Sequence, residues 1–559
     1  MKKTKGTIAI LIIMMICLSL LVACGGNSSN NSENSPSNTD SNASGNSNDS
    51  ASPSSSSQFG DAAGSSQAPL LEVDEEEDVR YAEVINVIID NTPTQVLSPF
   101  VAGAGLMHAG NWVFKLTHDT LVRSLGGGEY EPQLATHWET DDWQTFTFHL
   151  REDVYYTNGE NLKASDVIWT IDRAKEAVGS GANSQWRTVV EYTAVDDYTV
   201  KFVLDTVNVD ILSSIANPSA SIHSKKAMTD DPVRGSEIGT GAFYVTDFVV
   251  ANSVSVERND SYWGEPAVTK TIHFRFVPEQ GTRTIMMLNG EADLCFRISD
   301  EDLSLFEEDS NFNVRTFAQS NAANVIFNME DPLMADYDFR MAVGHCLDKE
   351  EIAFVAAYDY ADLWPDGTMW GYETEFRNTD IPMIEFNRDL AKEFLDKSSY
   401  NGEPVEIVAA LGTNIRIAEC LQRQLGYIGI TITINQMDSA GYSEYTRNGS
   451  SKAQMIAYGT AFTEVASSFR GAVYPGAVGN TAQYDNPRVT ELIDLAPTIL
   501  DRSEREKVYK EIQSIIAEDP PWWGLFYRYN TIVAHKNIGG WTMRSDQAYD
   551  MRYMFLKLD

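Results

Sequence analysis

The stretch from Val405 to Tyr458 restricts the fold most. Val405–Leu411 is a run of strand formers, Ile415–Leu425 has helical spacing, and Ile430–Asn435 and Gln454–Tyr458 are strand-like again. A strand, a crossing helix and a strand in that order imply parallel pairing with a right-handed crossover. The chain is therefore read as α/β. No repeat period is visible, which argues against solenoids and propellers.

Other segments agree with a mixed fold. Glu83–Asp90 is rich in β-branched residues and reads as a buried strand. Thr145–Leu150 and Thr199–Leu204 alternate apolar and polar, as half-buried strands do. Ser165 is expected to cap a helix running to about Val178, with Val167, Ile168, Ile171 and Ala174 on one face. Asp348 with Glu351, and Ser503 with Glu506, have capping-box spacing. Asn387 caps a helix with Leu390, Ala391, Phe394 and Leu395 inward, and the helix after Ser503 stops before Pro520-Pro521.

The 559 residues amount to three or four domain-sized pieces at about 150 residues each. With 43% hydrophobic residues, most of the chain can bury a core. Eighty acidic against 42 basic residues give a formal charge of −38. That argues against a nucleic-acid binder, which needs a basic face, and against simple adsorption to an anionic membrane. Five cysteines exclude a disulfide scaffold. Cys346 and Cys420 lie on apolar helix faces and read as small core residues, and no chemistry is assigned to them or to Cys295.

The N-terminus reads as an address. Lys2, Lys3 and Lys5 precede Ile8–Val22, an apolar run broken only by Ser19. A charged head, a short apolar core and small residues before a cut make a secretory signal, here residues 1–23. Leu21-Val22-Ala23-Cys24 resembles the bacterial lipobox, which implies that the Cys24 thiol takes up a diacylglycerol. Residues 25–69 hold 16 Ser and 8 Asn, and EVDEEED follows at 72–78. Such a composition cannot offset the entropy of ordering, so 24–79 is expected to be a tether.

Residues 131–172 carry the strongest resemblance. Pro132, Leu134, Ala135, Trp138, Glu139, Asp142, Phe146, Phe148, Leu150, Arg151, Val154, Tyr156, Asn158, Gly159, Ala164, Asp166 and Val167 follow one spaced pattern. Gly239-Thr240-Gly241-Ala242-Phe243, Arg258-Asn259-Asp260, Tyr262-Trp263-Gly264, Phe327-Asn328, Asp338, Arg340, Ala342 and Asp348-Lys349 continue it in order. Asn387, Ala391, Leu395, Leu425 and Ile428-Gly429-Ile430 also fit. Together they resemble the extracellular solute-binding proteins of the peptide/nickel class, which serve ABC importers. Taken residue by residue, these blocks are mostly structural: Asn158-Gly159 is a turn, and Gly239 and Gly241 suit positive φ or close backbone approach.

The resemblance implies a two-lobed periplasmic-binding-protein-like fold of type II, in its large form with an extra subdomain and a hinged ligand cleft. Lobe one is expected at 80–319, with an inserted subdomain at about 125–234. Lobe two is expected at 320–521, and 522–559 returns to lobe one. It implies a monomer, lipid-anchored on the extracellular face of a Gram-positive cell membrane. The chain would hand a short peptide or similar small polar solute to a membrane permease driven by a separate ATPase. An oligosaccharide or a nickel chelate is the alternative ligand. No catalytic residue, cofactor or resident metal is expected; an extracellular hydrolase is the rival class, since 80 carboxylates make chance Asp/Glu pairs unavoidable.

Candidate ligand contacts come from position. Tyr458, Phe462 and Glu464 follow a parallel strand's carboxyl end, where open α/β sheets bind ligands. The resemblance implies an Asp-containing stretch there as the anchor for a peptide's amine. Residues 457–464 contain no Asp; Glu464 is the nearby carboxylate, with Arg470 six residues on. Trp364 and Trp370 bracket a turn and can stack on a ligand, or simply pack. His108 and Trp112 lie after the first strand, in a Gly-rich loop that can face the cleft. Trp522-Trp523 is expected to pack where the chain returns to lobe one.

Overall fold

The computed structural model describes residues 80–90, 98–101, 108–126, 128–358, 360–363, 375–438, 441–442, 445–446, 453–461, 465–477, 479–543 and 549–558. The principal elements begin with β1 (Val84–Ile89) and α1 (His108–Thr117). A separate four-stranded antiparallel sheet follows, made of β2 (Ala135–Glu139), β3 (Thr145–Leu150), β4 (Val189–Ala194) and β5 (Thr199–Leu204). Helix α2 (Ala164–Glu176) lies between β3 and β4. The chain then returns to β1 through β6 (Phe243–Val249), β7 (Ser253–Arg258) and β8 (Thr271–Phe276), followed by α3 (Gln280–Leu288) and β9 (Leu294–Phe296).

A long strand, β10 (Phe312–Phe327), leads into the second half. There follow α4 (Tyr337–Cys346), α5 (Lys349–Ala357), β11 (Val405–Ala410), α6 (Thr413–Gly426), β12 (Ile432–Met437), β13 (Met455–Ala461) and α7 (Arg502–Glu518). The second long strand, β14 (Trp522–His535), runs back.

Among the described residues the main sheet has 11 strands, in the order β12-β11-β13-β10-β14-β9-β1-β8-β7-β6, with Ala361–Leu363 added beside β14. As expected, β11 is parallel to both β12 and β13, and β1 is parallel to β8 and β9. Parallel strands must be covered on both faces, because their crossover helices pack there. The sequence of β1 meets that demand: Ile85, Val87 and Ile89 enter one apolar cluster, and Ile88 enters another. In β11, Val405, Ile407 and Ala409 face one core while Val408 and Ala410 face the other.

The two long strands join the halves. They pair antiparallel from Phe312↔His535 to Ile326↔Trp522, with a register break between Ala318 and Ala322. Before the break β14 also pairs with β9, and after it β10 also pairs with β13. The crossing is therefore a two-stranded ribbon with an irregularity at its midpoint, the place where a ladder bends most easily. Trp522 and Trp523 open β14 within the second half, and the chain reaches the first half only farther along that strand.

The four-stranded sheet has its own core. Phe146, Phe148 and Leu150 of β3 and Val200, Phe202 and Leu204 of β5 point inward with α2 residues Val167 and Ile171. The ends of β3 and β5 coincide with those read from their alternation. Helix α2 corrects one expectation. Ser165 lies inside it, and Asp166 organises its start by accepting from the Lys163 and Lys225 N–H groups, each at 2.9 Å. Asp501 likewise replaces Ser503 as the cap of α7, accepting from the Glu504 N–H at 2.9 Å. Asp348 and Asn387 cap as expected.

The resembling blocks converge on one buried carboxylate. Asp119 accepts from Thr240 Oγ1 at 2.9 Å, Gln133 Nε2 at 2.7 Å and Trp263 Nε1 at 3.2 Å. Burial raises its pKa, and these hydrogen bonds oppose the rise. Gly239 and Gly241 serve the same junction by close approach. A Cβ on Gly239 would lie 1.9 Å from Thr117 O, and one on Gly241 2.3 Å from Leu116 O.

Candidate functional site

Carboxyl ends of parallel strands from both halves meet at one seam. From the first half, Asp90 ends β1, and Arg297, Asp300 and Glu301 follow β9. From the second, Gly412 takes φ 88° after β11 and turns the chain into α6, which puts Arg416 in the helix's first turn. Tyr358 ends α5 in a left-handed conformation, φ 50°.

Three ion pairs line the seam: Asp90–Arg297 at 3.2 Å, Asp300–Arg528 at 3.6 Å and Glu301–Arg416 at 3.1 Å. Arg528, from β14 beside the crossing, feels the charges of Asp300, Arg297 and Arg416, so the pairs form one field. Burial lowers the Arg528 pKa and raises that of Asp300. Arg283 of α3, almost fully buried, braces the group by donating to the carbonyls of Val277, Pro278 and Arg297. Asp90 Oδ1 is buried without a hydrogen-bond partner.

Glu301 ties the halves together directly. Its Oε1 also accepts from the Tyr358 hydroxyl at 3.0 Å. Arg416 stacks over the Tyr358 ring and donates to Ala356 O at 3.0 and 2.8 Å. A row of paired, opposite charges at a seam can exchange partners with the ammonium and carboxylate of a zwitterion. None of these residues was singled out from sequence.

The sequence-derived candidates are dispersed. Trp364, Trp370, Phe462 and Glu464 lie outside the described residues. Tyr458 lies in β13 opposite Asn324, and His108 is the first residue of α1. Trp112 is 3% exposed, with its ring centroid 4.1 Å from that of Phe296 in the first-half core. Arg470 pairs with Asp494 at 2.6 Å and lies over Tyr474. A cavity of about 700 Å³ lined by Tyr337, His345, Met383, Trp522 and Trp523 sits at the far end of the second half, where β14 begins. It is separate from the seam.

Residues 129–480, more than half of the chain, match the model of the bacterial extracellular solute-binding proteins, family 5. The chain belongs to that family. Among family 5 relatives, the dipeptide-binding protein of Escherichia coli is 24% identical over 74% of this chain and 82% of its own. The Helicobacter pylori periplasmic binding protein DppA, solved with the peptide STSA, matches with a TM-score of 0.74 and 22% identity. That match covers 86% of this chain and 99% of that one. NikA of Staphylococcus aureus, solved with Ni(L-His)2, matches with the same TM-score at 17% identity, covering 85% and 100%. The two-lobed family 5 architecture is thus the fold of this chain, and its function is that of a solute-binding protein.

Proposed function

We propose that this chain captures a short peptide, or a similarly small zwitterionic solute, between its two halves and delivers it unaltered to an ABC permease. The seam carries this reading. Opposite charges from both halves are paired there, at the carboxyl ends of parallel strands, with Glu301 bridging to Arg416. A ligand that replaces such pairs with its own charges gains contacts in the closed form only, and that difference drives closure. Micromolar binding corresponds to about 8 kcal/mol, ample for a balance of a few kcal/mol.

The reading includes the N-terminal address. Cleavage before Cys24 and lipidation of its thiol would hold the protein on the outer face of the cell membrane, with 25–79 as a tether. Two acyl chains at about 0.8 kcal/mol per buried CH₂ outweigh the repulsion between an acidic protein and the lipid surface. Glu464, Trp364, Trp370, Phe462, Tyr458, His108 and Arg470 remain its proposed contacts, whereas Trp112 packs in the first-half core. The relatives named above are described with different ligand classes, so the chemical class is the point to test. Thermal-shift screening of short peptides, oligosaccharides and nickel chelates decides it: a rise in melting temperature with peptides supports the proposal, and a rise with sugars alone overturns the peptide assignment.

A further inference from the structure

Away from the seam, three metal-ligating side chains converge on the outward face of the four-stranded sheet. His137 and Glu139 stand two residues apart on β2 and so share a face. His149 of β3 is directly opposite His137 in the ladder. A register break between Ala135 and His137 turns the strand just before the group. The two imidazole rings are stacked, with centroids 4.2 Å apart and planes 7° from parallel. Glu139 Oε1 lies 3.9 Å from His149 Nε2. One ligand atom from each of the three residues lies within 4.8 Å of the others.

His149 Nε2 is buried and makes no hydrogen bond, although it points toward a carboxylate. Asp196, in the turn between β4 and β5, is close enough to feel the charge of His149 and adds negative field. The opposite side of β3 is anchored in the core by Phe146 and Phe148, so the ladder holds the donors on a rigid base. We propose that His137, Glu139 and His149 form a surface site for a divalent transition-metal ion on the inserted sheet.

Two imidazole nitrogens and one carboxylate oxygen suit zinc, nickel or copper; calcium and magnesium prefer all-oxygen sets. Bonds of 2.0–2.1 Å at a tetrahedral angle require donors about 3.3 Å apart. Binding therefore requires the donors, now within 4.8 Å of one another, to draw closer by side-chain rotation; Glu139 is exposed and His149 partly so. Three protein donors leave a fourth position open to water, so the bound ion is exchangeable. The site lies outside the solute-binding seam and its existence does not depend on what the seam binds.

The test uses the full chain, stripped with a chelator and titrated with Zn²⁺ alone by calorimetry. His137→Ala and His149→Ala should each weaken one binding event at least tenfold, and His137→Ala/His149→Ala should abolish it. Circular dichroism should show wild-type melting for all three. With Cu²⁺ in place of Zn²⁺, paramagnetic resonance should show two coordinated nitrogens in the wild type and lose them in the double variant. Zn²⁺ titrations identical for wild type and double variant, or a Cu²⁺ spectrum unchanged by it, would overturn the assignment.

Discussion

Arg416 Nη1 lies 3.1 Å from Glu301 Oε1, and the two residues belong to opposite halves of the protein. Arg416 is fixed on its own side by two hydrogen bonds to Ala356 O, so the link connects two rigid elements rather than two loose side chains. Among the described residues, the main sheet runs between the halves through the β10–β14 ribbon, with its break between Ala318 and Ala322, and Tyr509 donates to Asp210 across them at 3.2 Å.

Arg416→Ala should loosen the ligand-free protein. Glu301 is half exposed, so solvent screening limits the link to about 1 kcal/mol. That is roughly a fivefold shift in a two-state balance. Small-angle scattering without ligand should give a larger radius of gyration than wild type. An unchanged value would show that the link does not hold the halves together.

Gly239→Ala and Gly241→Ala should each destabilise the fold by about 3 kcal/mol. The added methyl meets backbone carbonyls of Thr117 and Leu116, which cannot rotate away. Urea unfolding measures the loss. A midpoint equal to wild type would mean that α1 shifts freely against this loop.

Acid should weaken the protein through a buried histidine pair. His118 and His223 have ring centroids 4.8 Å apart and are almost fully buried. Burial lowers the His118 pKa to about 3 and holds His223 well below the usual imidazole range. Unfolded histidines bind protons below about 6.5, whereas the folded ones do not. Stability is therefore full above pH 6.5 and falls as pH drops from there toward 3, by up to about 1.4 kcal/mol per pH unit for each residue. Asp119, raised by burial, has the opposite slope above its ordinary value near 3.8, so the difference between variants isolates the histidine. His118→Gln should reduce the slope between pH 5 and 6.5 by about one proton; identical slopes would contradict the assignment.

Glu464→Ala and Trp364→Ala should weaken peptide binding about tenfold while leaving the melting temperature of the free protein within a few degrees. Calorimetric titration with a dipeptide that passes the thermal-shift screen provides the measurement. Wild-type affinity in both variants would remove these residues from the ligand site.

Much of this architecture is legible in the sequence, because its signals are local. The alternation of β3 and β5, the two-face burial of β1 and β11, and the caps Asp348 and Asn387 are all set within a few residues. The caps at Ser165 and Ser503 fail because each helix begins before its serine: α2 starts at Ala164, with Asp166 reaching back to the Lys163 N–H, and α7 starts at Arg502, capped by Asp501. The seam was not legible. Glu301 and Arg416 are 115 residues apart and meet only once the chain has folded back through β10. The one local hint is Gly412 after a strand, which places Arg416 in the first turn of the next helix. The His137–Glu139–His149 group had a weak signal of the same kind, a His-x-Glu strand facing a His-bearing strand.

The most direct test of the central claim is native mass spectrometry of the full chain after incubation with a defined mixture of short peptides. The account predicts one solute per protein, recovered after denaturation with its original mass. Recovery of a chemically altered product, or no retained solute from any mixture that the thermal-shift screen supports, would contradict it.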